Sequence, residues 1–260
     1  MNELTSIQQT LNALPITPNS SWAIDVATNQ VVVQVSDQTP STSLLETAGH
    51  YGDAAKIVHT HGSISQQVLD GDGISTDQIT CSAGFNATVG NGQPVILTAG
   101  HCTAGLPYWQ GIGPSLDTSP SSADYGLIRN DSDDGRGAVD TYNGRSQPIT
   151  EAGDAYVGER VCKAGERTGL TCGRVTALNV TVNYDNGKVV HGLVETNVHT
   201  DHGDSGGPLF DGSVGLGMVS GGDGRSVSYY QPLTDALNAY SRRSLQNAPS
   251  AAGISLTRTG

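Results

Sequence analysis

Near the amino terminus the apolar positions change period twice. Leu4, Ile7, Leu11 and Leu14 recur three and four residues apart, which predicts an amphipathic helix. Trp22, Ile24 and Val26 then alternate, as do Val31, Val33 and Val35, around a Thr28-Asn29 turn, predicting a β-hairpin. Ser43-Leu44-Leu45-Glu46 has the form of a capping box and predicts a second helix running to about Val58. From about residue 68 the pattern is that of strands. Val95-Ile96-Leu97 follows a Gly90-Asn91-Gly92 turn; Val175 to Tyr184 alternates, turns at Asp185-Asn186-Gly187 and resumes at Val189. Short strands joined by glycine turns point to a barrel or sandwich. Thr234 is placed to cap a last helix over Asp235 to Ser241 that buries Ala236, Leu237 and Tyr240. From Asn247 the chain is rich in Ala, Ser, Gly and Thr and is expected to fray. No repeat is found.

Composition narrows this picture. The 260 residues suffice for one large β-domain plus a small appendage. Only 15% are charged and 34 are glycine, which favours tight turns over long surface helices. The net charge of -12, with no block of Lys or Arg, argues against a nucleic-acid or anionic-membrane partner. No apolar run approaches the ~20 residues that span a bilayer. Met1-Asn2-Glu3-Leu4 has neither the basic nor the apolar part of a secretory leader. The four cysteines point the other way: they allow three pairings, and neither close pair has the Cys-x-x-Cys spacing of a zinc or redox site. Two local disulfides, Cys81–Cys102 and Cys162–Cys172, are the simplest arrangement and imply an oxidising compartment. The expectation is a secreted protein whose signal peptide is absent from this chain.

Gly203-Asp204-Ser205-Gly206-Gly207-Pro208 carries the strongest chemical signal. A serine hydroxyl needs a base to become a nucleophile, and flanking glycines leave its oxygen open while backbone N–H groups approach the substrate. The same residues fit the nucleophile elbow of α/β-hydrolases, whose order is Ser, acid, His. The seven histidines, 50, 59, 61, 101, 191, 199 and 202, all precede Ser205, so that reading lacks a base. His101 follows the apolar strand ending at Ala99-Gly100 and adjoins Cys102, and Asp124 opens the apolar segment Tyr125-Gly126-Leu127-Ile128. A carboxylate there can orient an imidazole and stabilise its charged form; the order His, Asp, Ser is that of chymotrypsin.

These segments resemble those of trypsin-like peptidases. Finer features are similar to the streptogrisin and α-lytic protease group: Cys81-Ser82-Ala83-Gly84-Phe85-Asn86, Asp124 to Arg129, the Cys162-to-Cys172 loop, and Tyr229-Tyr230-Gln231-Pro232 before the last helix. Ser21 to Val26 and Val31-Val32-Val33 resemble the hairpin of the pro-region in such precursors, and Val68 to Ile74 sits where the mature enzymes begin. The resemblance implies two six-stranded antiparallel β-barrels with a C-terminal helix, all-β, behind a small α+β pro-segment. It implies a pro-region remnant at 1–67, a peptidase domain at 68–245 and a flexible tail at 246–260. It also implies a serine endopeptidase acting on protein or peptide substrates, monomeric, without metal or other cofactor. Carried over residue by residue, His101 is the general base and acid, Asp124 the orienting carboxylate and Ser205 the nucleophile. The Gly203 and Ser205 N–H groups form the oxyanion hole, and Ser220-Gly221-Gly222 pairs with the substrate backbone. Alternatives are an inactive protease-like binding module, though none of the three residues is missing, and an esterase of the same fold.

The chain departs from its relatives around the specificity pocket. A cysteine pair usual there is absent: His199 lies near one position and Gly224-Arg225-Ser226 covers the other. Counting back from Ser205 to the trypsin-type acidic position gives His199, or Asn197 and Val198 with a longer loop. Glutamate-specific relatives place a His just before the Ser-Gly-Gly segment; here it is Val219. Asp201 is expected on the rim. Val198, Val219 and Ser220 to Gly222, with Ser228 as a small wall, predict a neutral pocket for apolar side chains.

Overall fold

The computed structural model describes residues 3–15, 17, 20–36, 42–60, 68–90, 92–132, 135–247 and 253–257. The chain divides into two compact units, Met1–Gln66 and Gln67–Gly260.

In the first unit, helix α1 (Glu3–Asn12) is followed by strands β1 (Ser20–Asp25) and β2 (Gln30–Ser36), helix α2 (Ser43–His50) and strand β3 (Ala55–Thr60). Leu4, Ile7 and Leu11 of α1, Val31, Val33 and Val35 of β2, and Leu44 and Ala48 of α2 form one buried core. The two periods read from the sequence thus meet face to face. Val26 falls beyond β1, in the turn of the hairpin, and is 87% exposed. The second helix is shorter than its expected end at Val58. It stops at His50; Gly52 takes a left-handed φ of 52°, and β3 then pairs in parallel with β2. The alternating, β-branched run Lys56-Ile57-Val58 fits a strand edge better than a helix. Thr42, not Ser43, occupies the N-cap, without a side-chain capping bond.

The second unit opens with the hairpin β4 (Gly73–Ser75) and β5 (Thr80–Ser82). Then come β6 (Phe85–Thr88), β7 (Pro94–Thr98), the short helix α3 (Gly100–Thr103), β8 (Tyr108–Trp109), β9 (Gly113–Thr118) and β10 (Gly126–Arg129). After the small pair β11 (Ala138–Asp140) and β12 (Ser146–Pro148) follow β13 (Glu151–Ala152), β14 (Arg160–Lys163), β15 (Thr171–Asn183) and β16 (Val189–Thr196). β17 (Pro208–Asp211), β18 (Val214–Gly222), β19 (Ser228–Pro232), helix α4 (Leu233–Asn247) and β20 (Ser255–Leu256) complete it.

The first sheet has six antiparallel strands in the order β20-β6-β7-β10-β9-β8. The second has seven, β13-β18-β17-β14-β15-β16-β19, and β18 also pairs with β19. That pairing closes six of the strands into an antiparallel ring, with β13 a parallel appendage on β18. β7 reads as a continuous apolar run because it is covered on both faces. Ile96 enters the first barrel's core with Trp109 and Ile128; Val95 and Leu97 enter a core shared with Phe210, Met218 and helix α4. Val161, Val175, Val194 and Leu216 are among those filling the second barrel.

Two expectations at the carboxy terminus are corrected. Helix α4 starts at Leu233 and runs to Asn247, and the Thr234 hydroxyl donates to Asp154 Oδ1 instead of capping (2.7 Å). The expected flexible tail from 246 onward does not hold at 253–257. Ile254 is buried, Ser255 and Leu256 pair with Thr88 and Ala87, and the Thr257 N–H donates to the Asn86 carbonyl. A strand that would otherwise expose an edge gains its last neighbour this way. The neighbouring residues 248–252 and 258–260 lie outside the described ones, as does Gln67.

Candidate active site

His101 sits on α3, directly after β7, and Cys102 beside it is bonded to Cys81. Asp124 precedes β10, which pairs with β7, so the two side chains share one end of the first sheet. The Asp124 N–H donates to Gln231 Oε1 (2.9 Å), so the buried Gln231 of β19 pins that turn from the other barrel. The sequence marked Tyr229 to Pro232 only as a resemblance; this bond is its physical content.

His101 Nδ1 lies 2.9 Å from Asp124 Oδ2, and the His101 backbone N–H donates to Oδ1 (2.9 Å). Ser220 Oγ donates to Oδ2 (2.6 Å), and Lys188 Nζ donates to Oδ1 (2.9 Å). Asp124 is 1% exposed. Burial alone would push its carboxyl up, but the His101 hydrogen bond and charge, the Lys188 ammonium and the Ser220 hydroxyl together hold it well below the usual carboxylate range.

Ser205 lies in the turn between β16 and β17, and His101, Asp124 and Ser205 line one cleft of about 870 Å³. The Ser205 carbonyl accepts from the Ser82 N–H (2.8 Å), and the Gly206 N–H donates to the Val219 carbonyl (2.8 Å), so the turn is tied to both barrels. Gly206 has φ 87°, and a Cβ there would lie 2.0 Å from Thr98 Oγ1, so no other residue fits. Among the described residues, no partner engages the Gly203 or Ser205 N–H, nor the Ser205 hydroxyl.

Asp204 is buried beneath this turn. It accepts from the Arg167, Thr168 and Asp201 N–H groups, the Thr168 hydroxyl (2.7 Å) and Lys163 Nζ (3.1 Å). Desolvation opposes its charge, but these donors and Lys163 hold its carboxyl below the ordinary range. The Cys162–Cys172 disulfide, across a paired position of β14 and β15, closes the loop carrying Lys163, Arg167 and Thr168. Both disulfides therefore brace site segments.

Val219, Ser220, Gly221 and Gly222 line the cleft, as do Asp201 and Asp223. Val198 and Ser228, expected to line the pocket, do not. Val198 packs in the second barrel's core, and Ser228 Oγ donates to the Val198 carbonyl (2.8 Å) among buried neighbours. Both fall on inward positions, and inward in a closed barrel means the core rather than the cleft. His199 is exposed and its carbonyl accepts from Thr171 Oγ1. The sequence reading missed the tip of the β15–β16 hairpin. Tyr184 packs on Gly221, where a Cβ would meet its ring at 2.7 Å, and its hydroxyl lies 2.8 Å from Ser220 Oγ. Only the turn itself was legible there; its reach across the cleft depends on tertiary packing.

The chain is similar to known proteins over most of its length. A family profile for the Alpha-lytic protease prodomain matches residues 1–52. Streptogrisin-D of Streptomyces griseus is 40% identical over 252 residues, 92% of this chain and 64% of its own length. Streptogrisin-A of the same organism is 40% identical over 231 residues, 85% of this chain and 76% of its own. A solved glutamic acid specific serine protease, described as using a histidine triad in substrate binding, is 42% identical with a TM-score of 0.64, covering 66% of this chain and 97% of its own. With its double barrel and its prodomain match, the chain belongs to the streptogrisin family of chymotrypsin-like serine proteases.

Proposed function

We propose that the chain is the precursor of a secreted serine endopeptidase that works through an acyl-enzyme on Ser205. The observation that carries this reading is the 2.9 Å His101–Asp124 contact in the cleft that Ser205 also lines. In this reading Ser205 Oγ attacks the substrate carbonyl carbon and its proton passes to His101 Nε2. The Gly203 and Ser205 N–H groups donate to the oxyanion. The imidazolium returns the proton to the leaving amine nitrogen, and water repeats the sequence to release the acid. Asp124 keeps Nδ1 protonated and stabilises the imidazolium.

A pocket with no free carboxylate at its floor favours apolar side chains on the acyl side of the scissile bond. Besides Asp124, the cleft is lined by Asp185, exposed on the β15–β16 hairpin, and by Asp201 and Asp223, which are engaged locally. Asp223 accepts from the N–H groups of Arg225, Ser226 and Val227 within its own turn. Asp201 accepts from the His202 N–H and faces Arg167 Nε at 3.8 Å. Val219 stands immediately before Ser220, where a glutamate-binding histidine would stand in the notion drawn from glutamate-specific relatives. Residues 1–67 are read as the pro-segment, with processing near Gln67–Val68, and the processed enzyme as a monomer. A fluorophosphonate probe should label the processed protein and not Ser205→Ala; equal labelling of both sinks the reading. Peptide-library cleavage dominated by Arg, Lys or Glu would overturn the apolar preference, and sequencing of active protein that begins at Met1 would overturn the processing site.

A further inference from the structure

The hairpin between β15 and β16 places a cation on the back of the proposed triad. The turn is rigidly built: the Tyr184 N–H donates to the Lys188 carbonyl (2.8 Å), the Gly187 N–H to the Tyr184 carbonyl (3.0 Å), and the Lys188 N–H to Asn186 Oδ1 (2.9 Å). Both ends of the turn reach Asp124. Tyr184 does so through Ser220, and Lys188 does so directly, with Nζ 2.9 Å from Oδ1 and 22% of its side chain exposed. This carboxylate therefore has a formal counter-charge even when His101 is neutral.

We propose that Lys188 is a positioning residue of the triad, which fixes Asp124 and balances its charge on the side away from His101. The inference rests on the triad reading above. With an opposite charge only on the imidazole side, a buried carboxylate would grip the His101 proton; a second cation beside it weakens that grip. The remaining ionisable groups lining the cleft are Tyr184 and Asp185 on the same hairpin, Asp201 and His202 before the serine, and Asp223 and Tyr229 around the β18–β19 turn. None of them is hydrogen-bonded to Asp124, and none is altered in sequence when Lys188 is replaced, so a difference between variants isolates its charge.

The test is the pH profile of kcat/KM for active-site-titrated protein from the full chain, in the parent and in Lys188→Met, Lys188→Arg and Lys188→Glu. Lys188→Met should move the acid limb up by about one pH unit, a tenfold loss on that limb, as expected for removal of one nearby charge. Lys188→Arg should restore the parent limb and Lys188→Glu should move it further. An acid limb unmoved in Lys188→Met, with only the plateau lowered, overturns the proposal in favour of a purely structural lysine. NMR titration of the His101 ring in full-length Ser205→Ala, with and without Lys188→Met, reads the same shift without turnover, and no shift there also overturns it. Probe labelling that survives Ser205→Ala would instead fault the triad itself.

Discussion

The Asp124 carboxylate is buried and still ionised because the four donors on it outweigh its desolvation. Asp124→Asn would keep these contacts in outline but present the wrong partner to Nδ1. Its kcat should fall by roughly 10⁴, the magnitude of that substitution in the trypsin triad, with little change in circular dichroism; near-parental kcat would mean another acid orients the base. Carboxylates also set the pH range of stability, in opposite senses. Asp124 and Asp204 are held below their ordinary range, so the stability they contribute is present above about pH 4 and is lost as pH falls. Burial pushes Asp72 up to about 6, with Asp140 and Glu166 adding to it, and burial likewise raises Asp70. Both favour the fold when protonated, and the part contributed by Asp72 is lost as pH rises through about 6. Calorimetry should find the Tm maximum between about pH 4 and 6. Asp72→Asn should raise Tm at pH 8 and not at pH 4; an equal effect at both would contradict the assignment.

At the scale of elements, the loop from β14 to β15 acts as a cradle for the Ser205 turn. Lys163 and Asp204 are both fully buried, so each is the other's compensation. Lys163→Met should leave Asp204 uncompensated and cost about 3–5 kcal/mol in urea unfolding; a loss below 1 kcal/mol would show that the N–H donors suffice. Strand β20 makes a second prediction. Stopping the chain after Asn247 removes the pairing to β6 and uncovers its edge. Tm should drop and the Ala87 and Thr88 amides should exchange faster, while unchanged exchange would mean that β20 does not dock in solution.

At the scale of the whole second unit, the barrels share one core in which Phe85, Val95 and Leu97 meet Phe210, Met218, Leu233 and Tyr240. They should therefore unfold together. Phe210→Ala, in the second barrel, should cost about 3–5 kcal/mol and lower the midpoint reported by Trp109 in the first barrel by the same amount. Trp22→Phe in the background leaves Trp109 as the one reporter, since the chain has two tryptophans. A Trp109 midpoint that stays put would show that the barrels unfold separately.

What the sequence determined by itself is local. Period and turn chemistry specify α1, the β1–β2 hairpin, β7 and the β15–β16 hairpin, because side-chain direction follows directly from residue spacing. The glycine-flanked Ser205, with His101 and Asp124 ahead of it, was legible because the chemistry demands those residue types in an order that one fold uses. Tertiary structure decided the rest. Ala55 to Thr60 is a strand because β2 offers it an edge, and Ser255-Leu256 is ordered because β6 does. Val198 and Ser228 turned into the barrel's core once its ring closed. Lys188 and Gln231 bond to Asp124 across 64 and 107 positions of the chain, and Tyr184 bonds to its neighbour Ser220 across 36. No spacing rule encodes such contacts, because only the closure of two barrels on each other brings those residues to one carboxylate.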